Sequence, residues 1–187
     1  KRALAQAGAL VARFKPGSTW EQWPVDLEGN DSRLGFPYGG EYKDLAVVHV
    51  DGNGLGLLLQ TVLAACTPEL RPDWRDRIAL MRQFSDMVSE ATCRAARHAT
   101  QCVLEPERAS RGSALLAMRP ILLGGDDLSV IIRADLALDF TRSFLSEFEE
   151  QTKVLLAERL GFLEGLPERL TACAGIVYIG SSDPLHL

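Results

Sequence analysis

Two apolar, strand-like runs, residues 117–123 and 128–133, flank Gly124-Gly125. Runs of that length joined through glycines read as a β-hairpin, because glycine adopts the backbone angles of a tight turn at no steric cost. The hairpin commits this part of the chain to an antiparallel sheet. It also puts Asp126 and Asp127 at the turn, at one end of that sheet.

The rest of the chain supplies partners for the hairpin. Residues 45–50, Leu-Ala-Val-Val-His-Val, form a short, nearly continuous apolar run that suits a strand buried on both faces. Asp51-Gly52-Asn53-Gly54 follows as a turn, and residues 55–66 read as a helix stopped by Thr67-Pro68. A long helical pattern covers residues 73–101, with Trp74, Ile78, Met81, Phe84, Met87, Val88 and Ala91 spaced three and four apart. Arg71, Arg75, Arg77 and Arg82 fall largely on its wet face. Residues 105–112 are polar and read as a loop. Helical periodicity returns over residues 136–160 through Leu138, Phe140, Phe144, Leu145, Phe148 and Leu155, and residues 171–179 form a last β-branched strand.

Residues 1–43 read as an N-terminal helix, ended by Pro16-Gly17-Ser18, and an ordered linker anchored by Trp20, Trp23, Phe36 and Tyr38. Residues 44–187 then make one domain. Its order is strand, helix, helix, strand, strand, helix, strand. That is an α+β, ferredoxin-like layout, an antiparallel sheet with helices packed on one face. The layout brings the end of the first strand beside the hairpin, so Asp51 comes close to Asp126 and Asp127.

Taken alone, Asp51 suits a helix cap or turn, and Asp126-Asp127 suit a solvated turn. Together they form a cluster of like charges that a divalent cation relieves. Mg²⁺ takes hard oxygen ligands, often one or two carboxylates with substrate phosphates. Other motifs fit less well. Gly52-Asn53-Gly54-Leu55-Gly56 lacks the third glycine of a dinucleotide fingerprint, and an EF-hand begun at Asp51 would need ligands at Leu55 and Val62. The chain has no Walker A segment and no GxSxG elbow. His49, His98 and His186 form no zinc motif, and His49 reads as a core imidazole within its strand.

Composition narrows the partners. Twenty Lys and Arg stand against 25 Asp and Glu, a net charge of −5, which disfavours binding nucleic acid through bulk surface charge. Cys66, Cys93, Cys102 and Cys173 form no CxxC pair and read as reduced, buried thiols of a cytoplasmic protein. No apolar run reaches the roughly 18 residues of a membrane-spanning helix. The chain begins at Lys1 rather than Met, as a fragment or processed chain would.

Three blocks in order carry a family resemblance. They are Val-His-Val-Asp51-Gly-Asn-Gly-Leu-Gly, then Ile-Leu-Leu-Gly124-Gly125-Asp126-Asp127-Leu, then Leu-Thr-Ala-Cys-Ala-Gly175-Ile-Val-Tyr. The sequence resembles the GGDD-type cyclase palm of the CRISPR polymerase family, the large subunits of type III CRISPR effector complexes. The resemblance implies a palm of the GGDEF/nucleotidyl-cyclase type that uses Mg²⁺ or Mn²⁺ to join ATP into cyclic oligoadenylate messengers for antiviral defence. By position, Asp51 and Asp126 would be the principal metal ligands, Asp127 would assist, and the Gly52 carbonyl would add a backbone ligand. Gly52, Asn53, Gly54, Gly124 and Gly125 would line the nucleotide. Implied partners are nucleoside triphosphates, other effector subunits with guide RNA through them, and a second palm. Membranes are not implied.

Two neighbouring readings stay open at this level. Diguanylate cyclases share the palm, but here Asp127-Leu128 stands where they carry Glu-Phe, and residues 115–118 lack their RxxD site. A degenerate palm serving as nucleotide sensor or scaffold is the other. The chain also lacks the family's His-Asp nuclease motif and zinc-ribbon cysteines, and it ends where the palm normally enters another helix. Arg108, Arg111 and Arg119 precede the hairpin and read as solvated loop residues rather than phosphate ligands.

Overall fold

The computed structural model describes residues 2–24, 44–67, 69–71 and 73–180. Phe36, Tyr38, the linker that carries them and residues 181–187 lie outside the described residues. The elements run α1 (Arg2–Phe14), β1 (Leu45–Asn53), α2 (Leu55–Ala64), α3 (Trp74–Ala99), α4 (Glu105–Ser110), β2 (Met118–Gly124), β3 (Asp127–Arg133), α5 (Ala134–Leu160) and β4 (Thr171–Ile179). The fold is α+β. Four antiparallel strands lie in the order β2-β3-β1-β4, the ferredoxin-like arrangement that the hairpin demands.

A strand has a side-chain period of two, so each strand offers one face to the helices. Ala46, Val48 and Val50 of β1 are fully buried, as are Leu128, Val130 and Ile132 of β3. They share a core with Met87, Val88, Ala91 and Ala95 of α3 and Phe140, Phe144, Phe148 and Leu155 of α5. Phe144 and Phe148 stack with centroids 6.2 Å apart. α1 adds Phe14, which meets Trp23 edge-on at 5.9 Å.

The opposite face of the sheet is open, and this corrects one expectation. β1 is not buried on both faces: His49 and Asp51 point out and are exposed. The helices that pack on β1 all lie on the other side. β1 also runs on to Asn53, paired with Thr171 of β4, so the expected four-residue turn shrinks to Gly54. Gly54 has a φ of 81° and precedes α2, accepting hydrogen bonds from Leu57 and Leu58 N–H.

Residues 105–112 are not a loop. A π-helical stretch (Thr100–Leu104) extends α3 and leads into α4. Pro106 in the first turn has no N–H to leave unpaired, and Glu105 and Glu107 suit the positive end of a helix. Glu105 pairs with Arg108 and Glu107 with Arg111 at helical spacing. Those two arginines are thereby engaged by the acids of α4. Glu107 also reaches buried Arg133, whose guanidinium donates to Asp135 at 2.6 and 2.8 Å.

The thiols correct another expectation. All four are free, but Cys66 and Cys93 are half-buried and Cys102 and Cys173 are exposed.

Candidate metal and nucleotide site

The hairpin turn is Gly125-Asp126, since Gly124 still pairs with Asp127 across the ladder. Gly125 has a φ of 59°, in the left-handed region that glycine adopts freely. The turn is fastened from below. The Thr92 hydroxyl of α3 lies 2.7 Å from the Gly125 carbonyl oxygen and 3.0 Å from that of Val88. Arg13 of α1 donates to the Leu123 carbonyl, and Arg97 Nε donates to the Arg13 carbonyl at 3.0 Å.

β1 delivers Asp51 to the same end. Val50 pairs with Leu128, so the next residue faces the start of β3. One carboxylate oxygen from each of Asp51, Asp126 and Asp127 lies within 4.8 Å of the other two. Asp51 is exposed and the others half-buried. The expected convergence of the three acids is present.

Gly52 is what lets Asp126 come this close. A Cβ at position 52 would stand 2.7 Å from Asp126 Cβ, 3.0 Å from its Oδ2 and 3.1 Å from Leu55 Cδ1. Asp126 therefore packs over bare β1 backbone. Gly124 has no such constraint: a Cβ there would meet Arg13 only at 3.8 Å. Asn53 turns the other way. Its amide donates to Thr171 Oγ1 at 3.3 Å and to Cys173 Sγ at 3.1 Å, tying the strand end to β4.

Burial lifts the Asp127 carboxyl above its ordinary range, and the charges of Asp126 and Asp51 push it further; a hydrogen bond with Asp51 adds to this, and the His49 ring opposes it. Three crowded oxygens in such a field are a poor resting arrangement without a cation. They are hard donors, suited to Mg²⁺ or Mn²⁺. The donor set and the glycine cradle under Asp126 fit a divalent cation.

Sequence reading missed the neighbours of this cluster. His49 Nδ1 lies 2.8 Å from Ser129 Oγ on the open face, directly across the β1–β3 ladder. The signal was available, because His49 and Asp51 are two apart and so share a face. Thr92 and Arg13, which hold the turn, had no local signal.

A family model described as Cas10/Cmr2, second palm domain, matches residues 44–187. The chain belongs to this family. It is a palm of a type III CRISPR large polymerase subunit, a nucleotidyltransferase-like class of domain. No curated protein matches it. Among the described residues, no helix of this palm is long and apolar enough to cross a membrane.

Proposed function

We propose that this palm is a divalent-cation-dependent nucleotidyltransferase joining ATP into cyclic oligoadenylate messengers in type III CRISPR defence. One observation carries the reading: Asp51, Asp126 and Asp127 converge within 4.8 Å at the strand end of a family palm. Asp51 and Asp126 would be the principal ligands for Mg²⁺ or Mn²⁺, with Asp127 assisting and the Gly52 carbonyl adding a backbone ligand. When bound, such a cation would supply charge neutralisation at an α-phosphate; the reaction proposed is attack on that phosphate by a ribose 3′-hydroxyl, with pyrophosphate leaving.

The chain's own residues do the positioning. Gly124 and Gly125 leave backbone open to the nucleotide. Gly54 starts α2, whose first N–H groups favour an anionic phosphate. Asn53, held to β4, keeps the backbone of residues 52–54 in place. Rate enhancement on this reading comes from orientation and fixed charge. A second palm presents the partner nucleotide, and other effector subunits bring guide RNA.

Calorimetric titration of ATP with and without Mg²⁺, on the native chain and on Asp126→Asn, tests this. Binding should need Mg²⁺ and weaken at least about tenfold in the variant, the loss of roughly 1.4 kcal/mol. Mass spectrometry of ATP incubations should find cyclic oligoadenylate from the native chain alone. Product that survives replacement of both Asp126 and Asp127 by Ala, or ATP binding indifferent to Mg²⁺, overturns the reading.

A further inference from the structure

A relay of three side chains lies outside the acid cluster, between α3 with its π-helical extension and α5. Cys102 Sγ is 3.5 Å from His98 Nε2. The other ring nitrogen, His98 Nδ1, is 3.6 Å from Glu147 Oε2 on α5. Glu147 is itself held: its Oε1 accepts from Gln151 Nε2 at 2.7 Å, and Gln151 Oε1 accepts from Arg94 Nη1 at 2.9 Å. Positions 94, 98 and 102 repeat every four residues along one helical face, and 147 and 151 do so opposite. Cys102 falls within the π-helical stretch, a departure from α-helix found frequently at functional sites.

The imidazole stands between the thiol and the carboxylate and uses a different nitrogen for each. Metal ligands would instead converge on one point, and among the described residues only the three aspartates do so. Nucleophile, base and orienting acid in series are the parts of an activated thiol. The other cysteines lack them. Cys66 and Cys93 are half-buried, and Cys173, though exposed, accepts from the Asn53 amide directly across the ladder from Asp51.

We propose that Cys102 is a modification site, a thiol poised for exchange with small-molecule disulfides, with His98 as its proton acceptor and Glu147 as a positioning residue. In the step, the Cys102 proton passes to His98 Nε2 and the sulfur attacks one sulfur of the disulfide. A new S–S bond forms to Cys102, the old S–S bond breaks, and the leaving thiolate takes the proton back from the imidazolium. Cys102 is oxidised to a mixed disulfide and one sulfur of the reagent is reduced to a thiol. The site lies ten residues along the helix from Thr92, or roughly 15 Å at the α-helical rise, away from the aspartates. It does not depend on their function.

The test is the rate at which glutathione disulfide modifies each cysteine of the full chain, read by peptide mass spectrometry after quenching. Native Cys102 should react about tenfold faster than Cys173, and faster than Cys102 of the same chain unfolded in urea. His98→Gln and Glu147→Gln should each remove most of that advantage while leaving Cys173 unchanged, and Glu147→Asp should restore part of it. The unchanged Cys173 rate reports that each variant is folded. Should a variant fail to fold, the native-to-unfolded ratio of Cys102 decides alone. A native Cys102 no faster than the unfolded one, or a folded His98→Gln chain with undiminished rate, overturns the proposal.

Discussion

Gly52 has no side chain, and the position of Asp126 depends on that. A methyl group there would meet Asp126 Cβ at 2.7 Å and Leu55 Cδ1 at 3.1 Å, well inside van der Waals contact. The substituted chain must move the carboxylate, the turn that carries it or the start of α2. The rest of the core is untouched, so overpacking should cost stability only about 1–3 kcal/mol. Cation binding should suffer more, because Asp126 is one of the three converging acids proposed to hold the cation. For Gly52→Ala we expect Mn²⁺ affinity, followed by electron paramagnetic resonance, to fall by at least about tenfold, or roughly 1.4 kcal/mol, with the urea transition still cooperative. Native-like Mn²⁺ binding in that variant would mean that Asp126 is not a ligand. His49 carries a related lesson. Its strand reads as a nearly continuous apolar run, yet the imidazole shares a face with Asp51 and is exposed. Valines at 47, 48 and 50 conceal the alternation, since both faces of β1 offer apolar side chains while only one is covered.

At the scale of elements, the hairpin and the long helices were legible because their signals are local. Gly124-Gly125 between apolar runs, the three-and-four spacing of α3 and α5, and the β-branched run of β4 all specify structure over a few residues. The turn itself slid by one residue, to Gly125-Asp126. Either glycine can open a turn, and the ladder pairing of Gly124 with Asp127 decides between them. α4 was missed because its polarity reads as loop, although Pro106 and two flanking acids mark a helix start. The convergence of the acids was legible through topology, but what fastens it was not. Thr92 of α3 meets the Gly125 carbonyl at 2.7 Å from 33 residues away in sequence, and no periodicity announces that contact. Thr92→Val keeps the shape and removes the hydroxyl. Losing the hydroxyl's one donated hydrogen bond, shared between the Gly125 and Val88 carbonyls, should lower stability by about 1 kcal/mol in urea unfolding. A loosened turn should also bind Mn²⁺ several-fold more weakly. If stability falls and Mn²⁺ affinity does not, the helix supports the fold without positioning the site.

Over the whole molecule, charge works in two opposed ways. At the strand ends, like charges are gathered. On the helical side they are paired: Glu90 with Arg94 and Arg159, Glu105 with Lys15 and Arg108, Glu107 with Arg111 and Arg133. Burial alone would raise the carboxyls of Glu90 and Glu105, but the hydrogen bonds and charges of their partners outweigh it and hold both below the ordinary range. Glu107 is lowered chiefly by its hydrogen bond from Arg111, against some burial, with Arg133 adding to the effect. A carboxyl lowered on folding stabilises the fold above its unfolded value, near pH 4.3, and that contribution is lost as pH falls through the folded value. The pairs that bind α1, α4 and the α3–α5 seam should therefore weaken together in acid. Glu107 is the sharpest case, because Arg133 is almost wholly buried and Glu107→Gln removes one of the carboxylates that face its charge. At pH 7 the variant should lose roughly 1.5–3 kcal/mol, the range for a hydrogen bond to a charged group. The deficit should begin to shrink as pH falls below the unfolded carboxyl value, about 4.3, and vanish only once pH has passed through the lowered value of the folded Glu107 carboxyl. Urea midpoints of both chains between pH 3 and pH 7 give the comparison. A deficit that stays constant across that range would place the effect in packing rather than in the ion pair.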